Sequence, residues 1–163
     1  MRTLVVGLGN PILGDDGIGW RVAQGLQDSG NLPPNVDVIY LAVGGISLME
    51  ALVGYAKAII IDAITTDQAP IGTVRSFLLD DLANPSAGHL SSVHDTSLQD
   101  AMQIGRDLNL QLPNETIVVA IEARKIYDFS EELSPEVSAA IPEAIRVTLE
   151  WLSSSKLPKD DGQ

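Results

Sequence analysis

Leu4-Val5-Val6-Gly7-Leu8-Gly9-Asn10-Pro11-Ile12-Leu13-Gly14-Asp15-Asp16-Gly17-Ile18-Gly19 is the stretch around which the chain is laid out. Its apolar, partly β-branched opening predicts a buried strand over residues 4–7. Gly7, Gly9, Asn10, Pro11 and Gly14 then turn the backbone into a loop. Ile18, Val22 and Leu26 recur at helical spacing, which predicts a helix over 17–27. Asp15 and Asp16 are thereby placed on a loop at the carboxyl end of a strand, next to a helix N-terminus. In open α/β sheets, ligand sites gather at that edge.

Three readings of the stretch compete. A dinucleotide fingerprint would require glycine where Ile12 stands, and two adjacent carboxylates would repel a pyrophosphate. In the plainest reading one aspartate caps the helix and complements its dipole, Asp15 being the better candidate of the pair. In the third, a carboxylate serves as a metal ligand or in catalysis. Asn10 is expected to hold the glycine turn through side-chain to backbone hydrogen bonds.

Composition limits the function classes. The 163 residues suit one domain with one core, 45% apolar and 20% charged. Residues 1–155 are expected to form it, with 156–163 as a polar, frayed tail. No apolar run approaches a membrane span, and with Met1-Arg2-Thr3 leading straight into the first strand no signal peptide is expected. The chain has no cysteine, so disulfides, thiolate metal sites and cysteine nucleophiles are excluded. These features point to a cytoplasmic protein. Ten Lys and Arg stand against 22 Asp and Glu, a net charge of −12. Such a surface disfavours nucleic acid and anionic membranes as partners. A monomer is expected.

Along the chain, 36–41 alternates and is β-branched, a second strand. Gly44-Gly45 is a tight turn before a short helix, 48–53, that Ser47 can cap. Ala58-Ile59-Ile60-Ile61 reads as a central strand buried on both faces and ending at Asp62. A further strand, 72–79, follows after a connection too short for a crossover helix, so it is expected to run antiparallel to the third. A long polar loop, 80–93, leads through His89 to His94 and a helix over 95–108, its inner face formed by Leu98, Ala101, Gly105 and Leu108. Residues 116–123 form the fifth strand. Ser134-Pro135-Glu136 opens a last helix that Pro142 should kink. The expected architecture is an α/β three-layer sandwich with a five-stranded, mostly parallel mixed sheet.

If the first and third strands are parallel neighbours, Asp16 and Asp62 share one sheet edge, within reach of His94 from the loop before the helix. Two carboxylates and an imidazole with open positions suit Ni²⁺, Zn²⁺ or another divalent ion. Each residue has an ordinary alternative: Asp62 as a turn residue, His94 as a helix-terminal hydrogen bonder, and His89 in place of His94. Asp62 and His94 are expected on the surface of a cleft. No Gly-x-Ser-x-Gly or His-Glu-x-x-His is present, so no nucleophile identifies itself.

Several segments in order resemble the hydrogenase maturation endopeptidases. They are Gly7-Leu8-Gly9-Asn10 with Asp15-Asp16-Gly17-Ile18-Gly19, Gly44-Gly45 with Met49-Glu50, Ile61-Asp62-Ala63, Ser91-Ser92-Val93-His94-Asp95 with Leu98, and Ile121-Glu122 with Leu133-Ser134-Pro135-Glu136-Val137. The similarity runs from about residue 3 to residue 152. It implies a protease that removes a C-terminal peptide from the nickel-loaded large-subunit precursor of a [NiFe] hydrogenase. It further implies that Asp16, Asp62 and His94 contact nickel carried by the substrate, with no organic cofactor. The chain departs from the family pattern twice: many members have glutamate where Asp16 stands and aspartate where Val43 stands.

Two alternatives belong to other classes. Val6-Gly7-Leu8-Gly9-Asn10-Pro11 also resembles the opening of bacterial peptidyl-tRNA hydrolases, but Gly19, Trp20 and Arg21 stand where that family needs a histidine, and the net charge opposes a tRNA face. A nickel-sensing maturation chaperone that does not cut is the other.

Overall fold

The computed structural model describes residues 1–82, 97–125 and 128–154. Its elements are β1 (Thr3–Leu8), a 3-10 turn (Gly14–Gly17), α1 (Ile18–Asp28), β2 (Val36–Leu41), α2 (Gly45–Leu52), β3 (Lys57–Ile64), β4 (Val74–Leu78), a second 3-10 turn (Leu79–Asp81), α3 (Leu98–Asp107), β5 (Glu115–Glu122), α4 (Pro135–Ala139) and α5 (Ile141–Ser153). The five strands form one sheet in the order β2-β1-β3-β5-β4. β1 runs parallel to β2 and to β3, and β3 runs parallel to β5. β4 alone is antiparallel.

The apolar run of β3 explains its central place. Ile59, Ile60 and Ile61 are each fully buried. Alternation sends Ile59 and Ile61 to one face and Ala58, Ile60 and Ile64 to the other. On the first face they meet Ile18, Val22 and Leu26 of α1 and Val137 and Ala144 of the last two helices. On the second they meet Leu48, Met49 and Leu52 of α2 and Leu98, Ala101 and Met102 of α3. Burying one such side chain stabilises the fold by about 1.5–3 kcal/mol. The sheet is therefore the middle of three layers.

The strand predicted at 72–79 is antiparallel as expected but does not lie beside β3. β5 inserts between them, pairing with β3 on one side and with β4 on the other. β5 is buried along nearly its whole length and apolar from Ile117 to Ile121, so it gains most from a position with strands on both flanks, which leaves the half-buried β4 at the edge.

Several local boundaries also differ. β3 continues two residues past Asp62 to Ile64, because Ile64 still reaches the α2–α3 core. Ser47 lies inside α2, whose N-cap is Gly44. Ser97 caps α3 by accepting from the Asp100 N–H at 3.2 Å. Leu108 is 66% exposed and lies outside α3, since the chain turns away through Asn109 at φ 59°. The closing helix is two helices separated at Ala140. Pro142 stands in the first turn of α5, where its missing N–H costs nothing. The expected tail, both histidines and most of the polar loop lie outside the described residues.

Gly19 locks α1 onto the sheet. A Cβ there would collide with the carbonyl oxygens of both Leu8 and Ile61. The first turn of α1 therefore rests on the carboxyl ends of β1 and β3 without an intervening side chain.

Candidate functional site

The loop after β1 folds through its own polar groups. Asn10 Oδ1 accepts from the Ile12 N–H at 3.2 Å, the expected turn-holding role. The Asn10 N–H in turn donates to Asp16 Oδ2 at 2.8 Å, so the half-buried Asp16 carboxylate closes the loop on itself. Gly9, at φ 136°, lies under the Asp16 carbonyl oxygen where any side chain would collide.

Neither aspartate caps α1. Its N-cap is Gly17, with no side-chain hydrogen bond. The 3-10 turn carries both acids before the helix starts, and their carboxylates reach elsewhere. Asp15 is 1% exposed and accepts from the backbone N–H of Ser134 at 2.6 Å and from its hydroxyl at 2.8 Å. Ser134 precedes α4 as expected, but its hydroxyl serves Asp15 rather than its own helix.

Asp62 lies in the carboxyl half of β3, opposite Ala120 of β5. Strand alternation puts it on the α2–α3 face. It is fully buried, which corrects the expectation of a cleft-surface residue: the continuation of β3 to Ile64 places it within the layer. Gly7 of β1 is in register with Ile61, and the 3-10 turn holding Asp16 packs against β3. Both carboxylates thus belong to the carboxyl end of two neighbouring parallel strands. His94 and His89 fall outside the described residues. Among the described residues, no group of three or more His, Cys, Asp or Glu is placed to hold a metal.

A second buried acid stands nearby. Glu122 is fully buried and in register with Ile64, two pairs beyond Asp62–Ala120 and so on the same face. Its Oε1 accepts from the Thr66 N–H at 3.0 Å and the Thr66 hydroxyl at 2.6 Å. Arg75 of β4 is in register with Ala120. Its Nη2 lies 3.5 Å from Glu122 Oε2 and donates to Thr66 Oγ1 at 3.3 Å. The sequence did carry a signal for Glu122: Ile61-Asp62-Ala63 and Ile121-Glu122-Ala123 repeat one pattern, a buried apolar strand interrupted by an acid.

The rim at this end is partly apolar. Ile12, Val43 and Phe129 are 45%, 46% and 82% exposed. The loop after β1 is tied to the segment before α4 by Gly14 N–H to Ser130 O at 2.7 Å and Ser130 N–H to Ile12 O at 2.8 Å. Trp20 donates from Nε1 to the Leu41 carbonyl at 3.1 Å, joining α1 to the end of β2.

Known proteins share this fold. Residues 20–151 match the family model described as hydrogenase maturation protease. The chain is 31% identical to a putative hydrogenase maturation protease of Methanocaldococcus jannaschii, over 90% of this chain and 93% of that one. It is 27% identical to the hydrogenase expression/formation protein HoxM of Azotobacter vinelandii, over 92% of this chain and 72% of that one. The hydrogenase maturating endopeptidase HybD of Escherichia coli superposes with a TM-score of 0.76 at 25% identity, covering 93% of this chain and 92% of that one.

Proposed function

The chain belongs to the hydrogenase maturation protease family, and we propose that it removes a C-terminal peptide from the nickel-loaded large-subunit precursor of a [NiFe] hydrogenase. The observation that carries this reading is the placement of Asp16 and Asp62 at the carboxyl end of the parallel strands β1 and β3. Carboxylate oxygens in a site partly shielded from water attract a divalent cation far more strongly than exposed ones. Asp16 is pre-aimed by the Asn10 N–H and Asp62 by the strand on which it sits.

In this reading nickel arrives with the substrate. Asp16, Asp62 and His94 bind it and so register the scissile segment over the sheet edge. No organic cofactor takes part, and the cut is hydrolytic. The exposed apolar side chains of Ile12, Val43 and Phe129 at the rim support a protein substrate. The peptidyl-tRNA alternative gives way to the family match. No helix among the described residues is long and apolar enough to cross a membrane.

The test is an incubation of the purified protein with nickel-loaded and nickel-free precursor, read as intact masses. Loss of a C-terminal peptide from the loaded precursor alone is the expected result. Nickel-dependent binding without any mass change would instead make the protein a chaperone, and cleavage of both forms would remove nickel from recognition.

A further inference from the structure

Buried Glu122 and its half-buried partners Thr66 and Arg75 have no part in the reading above, yet Glu122 stands on the same sheet face as Asp62, two residues along β5 from Asp62's register partner Ala120. We propose that Glu122 is a positioning residue for Asp62, acting through Thr66 and braced by Arg75. The proposal rests on the reading that Asp62 contacts substrate nickel.

The chain beyond Asp62 has to leave the sheet within a few residues, because β3 ends at Ile64. A strand end with no ties would let Asp62 shift with the loop that follows. Here the exit is held from β5 at consecutive points. The Ala123 N–H donates to the Ile64 carbonyl at 2.8 Å. Two residues on, the Thr66 N–H and hydroxyl both converge on Glu122 Oε1. Thr66 Oγ1 also accepts from the Gln68 N–H at 3.2 Å, which turns the loop away from the sheet. Glu122 is itself fixed through its backbone: its N–H donates to the Thr73 carbonyl at 2.9 Å and its carbonyl accepts from the Gly72 N–H at 2.8 Å.

A carboxylate is an expensive way to hold a threonine. A buried charge is disfavoured unless paired, and Glu122 Oε2 has no hydrogen-bond donor. Its only charge partner among the described residues is Arg75 Nη2 at 3.5 Å, longer than a close ion-pair hydrogen bond. Arg75 Nε is likewise buried without an acceptor. The cost is explained if the charge-assisted bonds to Thr66 are needed for rigidity, since they are stronger and more directional than neutral ones. Ala120, between Asp62 and Arg75 in one row across the sheet, keeps that row open for the long Arg75 side chain to reach Glu122.

The experiment compares binding of nickel-loaded and nickel-free precursor to the full-length protein and reads the ratio of the two affinities. A role confined to stability would change melting and leave this ratio alone. Glu122→Ala is expected to lower the ratio about 10–100-fold, the usual effect of removing a group that orients a metal ligand. Thr66→Val, in a half-buried loop position that tolerates the change, is expected to lower it by less, and Thr66→Ser to restore it. If Glu122→Ala does not fold, the Thr66 pair decides. Wild-type ratios in folded Glu122→Ala or in Thr66→Val would overturn the proposal. Asp62→Ala separates the two levels: a ratio that survives it refutes nickel contact by Asp62, whereas a ratio lost in Asp62→Ala but kept in the Glu122 and Thr66 variants refutes the positioning role alone.

Discussion

The carboxylate of Asp15 accepts both the backbone N–H and the side-chain hydroxyl of Ser134, at 2.6 and 2.8 Å, across 119 residues of chain. This pair joins the turn after β1 to the start of α4. It gives the first of the two adjacent acids a structural task and leaves the second, Asp16, facing the loop that Asn10 closes.

Asp15→Ala should destabilise the protein by about 2–3 kcal/mol, because it strips two partners from a buried group. Ser134→Ala removes one bond and should cost about 1 kcal/mol. Urea unfolding of both single variants and the double variant measures this, and the double variant should cost less than the sum of the two singles, because both remove the same hydroxyl bond. Precursor processing well below the melting temperature should persist in Asp15→Ala. Its loss in a folded variant would move Asp15 into the site.

Gly19→Ala should cost about 3 kcal/mol or more, since the added carbon meets two strand carbonyls that cannot move independently. Val22→Ala, one turn later, removes buried atoms without forcing α1 off the sheet, and should cost about 2 kcal/mol. If thermal melting ranks the two the other way, the close contact of α1 with β1 and β3 is wrong.

Asp62→Asn keeps the shape of a fully buried side chain and removes its charge. Under the proposed function it should abolish cleavage of nickel-loaded precursor, with a fall of at least about 100-fold, while the circular dichroism spectrum stays that of the wild type. Asp16→Asn retains an oxygen for the Asn10 N–H and should likewise lose activity before it loses the loop. Full processing by either variant would remove that residue from the site.

Tyr55 provides a pH test away from the site. Its hydroxyl donates to Asp37 Oδ2 at 2.8 Å. This bond, followed by desolvation and the Asp37 charge, raises its pKa above the ordinary 10.0, against a smaller opposing effect of Arg2. The folded state therefore favours the neutral phenol. Its contribution is complete below pH 10.0 and fades as pH rises through the elevated value. In Asp37→Asn the Tyr55 titration, followed by the NMR shift of its ring carbons, should move to lower pH. An unchanged midpoint would dismiss the contact.

Element order was legible in the residues because periodicity is local. The alternation of 36–41, the isoleucine run of β3 and the stripe Ile18-Val22-Leu26 each declare a strand or a helix from a few neighbours. That the sheet is α/β and mostly parallel follows from the same run of elements. Strand neighbours were less legible. Nothing near residue 74 says that β4 will sit beside β5 instead of β3, because that choice depends on which strand gains most from burial on both sides.

The same division applies to the site. Asp16 and Asp62 stood out as acids breaking apolar or glycine-rich patterns, which the order of neighbouring residues displays. Glu122 broke its strand in the same way, but its importance rests on Thr66 and Arg75, which lie 56 and 47 positions away in the chain. A carboxylate before a helix has one local signature whether it caps that helix or reaches across the molecule, and only the packed structure sent Asp15 to Ser134. Near neighbours in the chain are enough to specify the strands, the helices and the positions of the acids between them. The tertiary structure decided the partners of each acid, since a hydrogen bond depends on proximity in space and the chain order leaves that open.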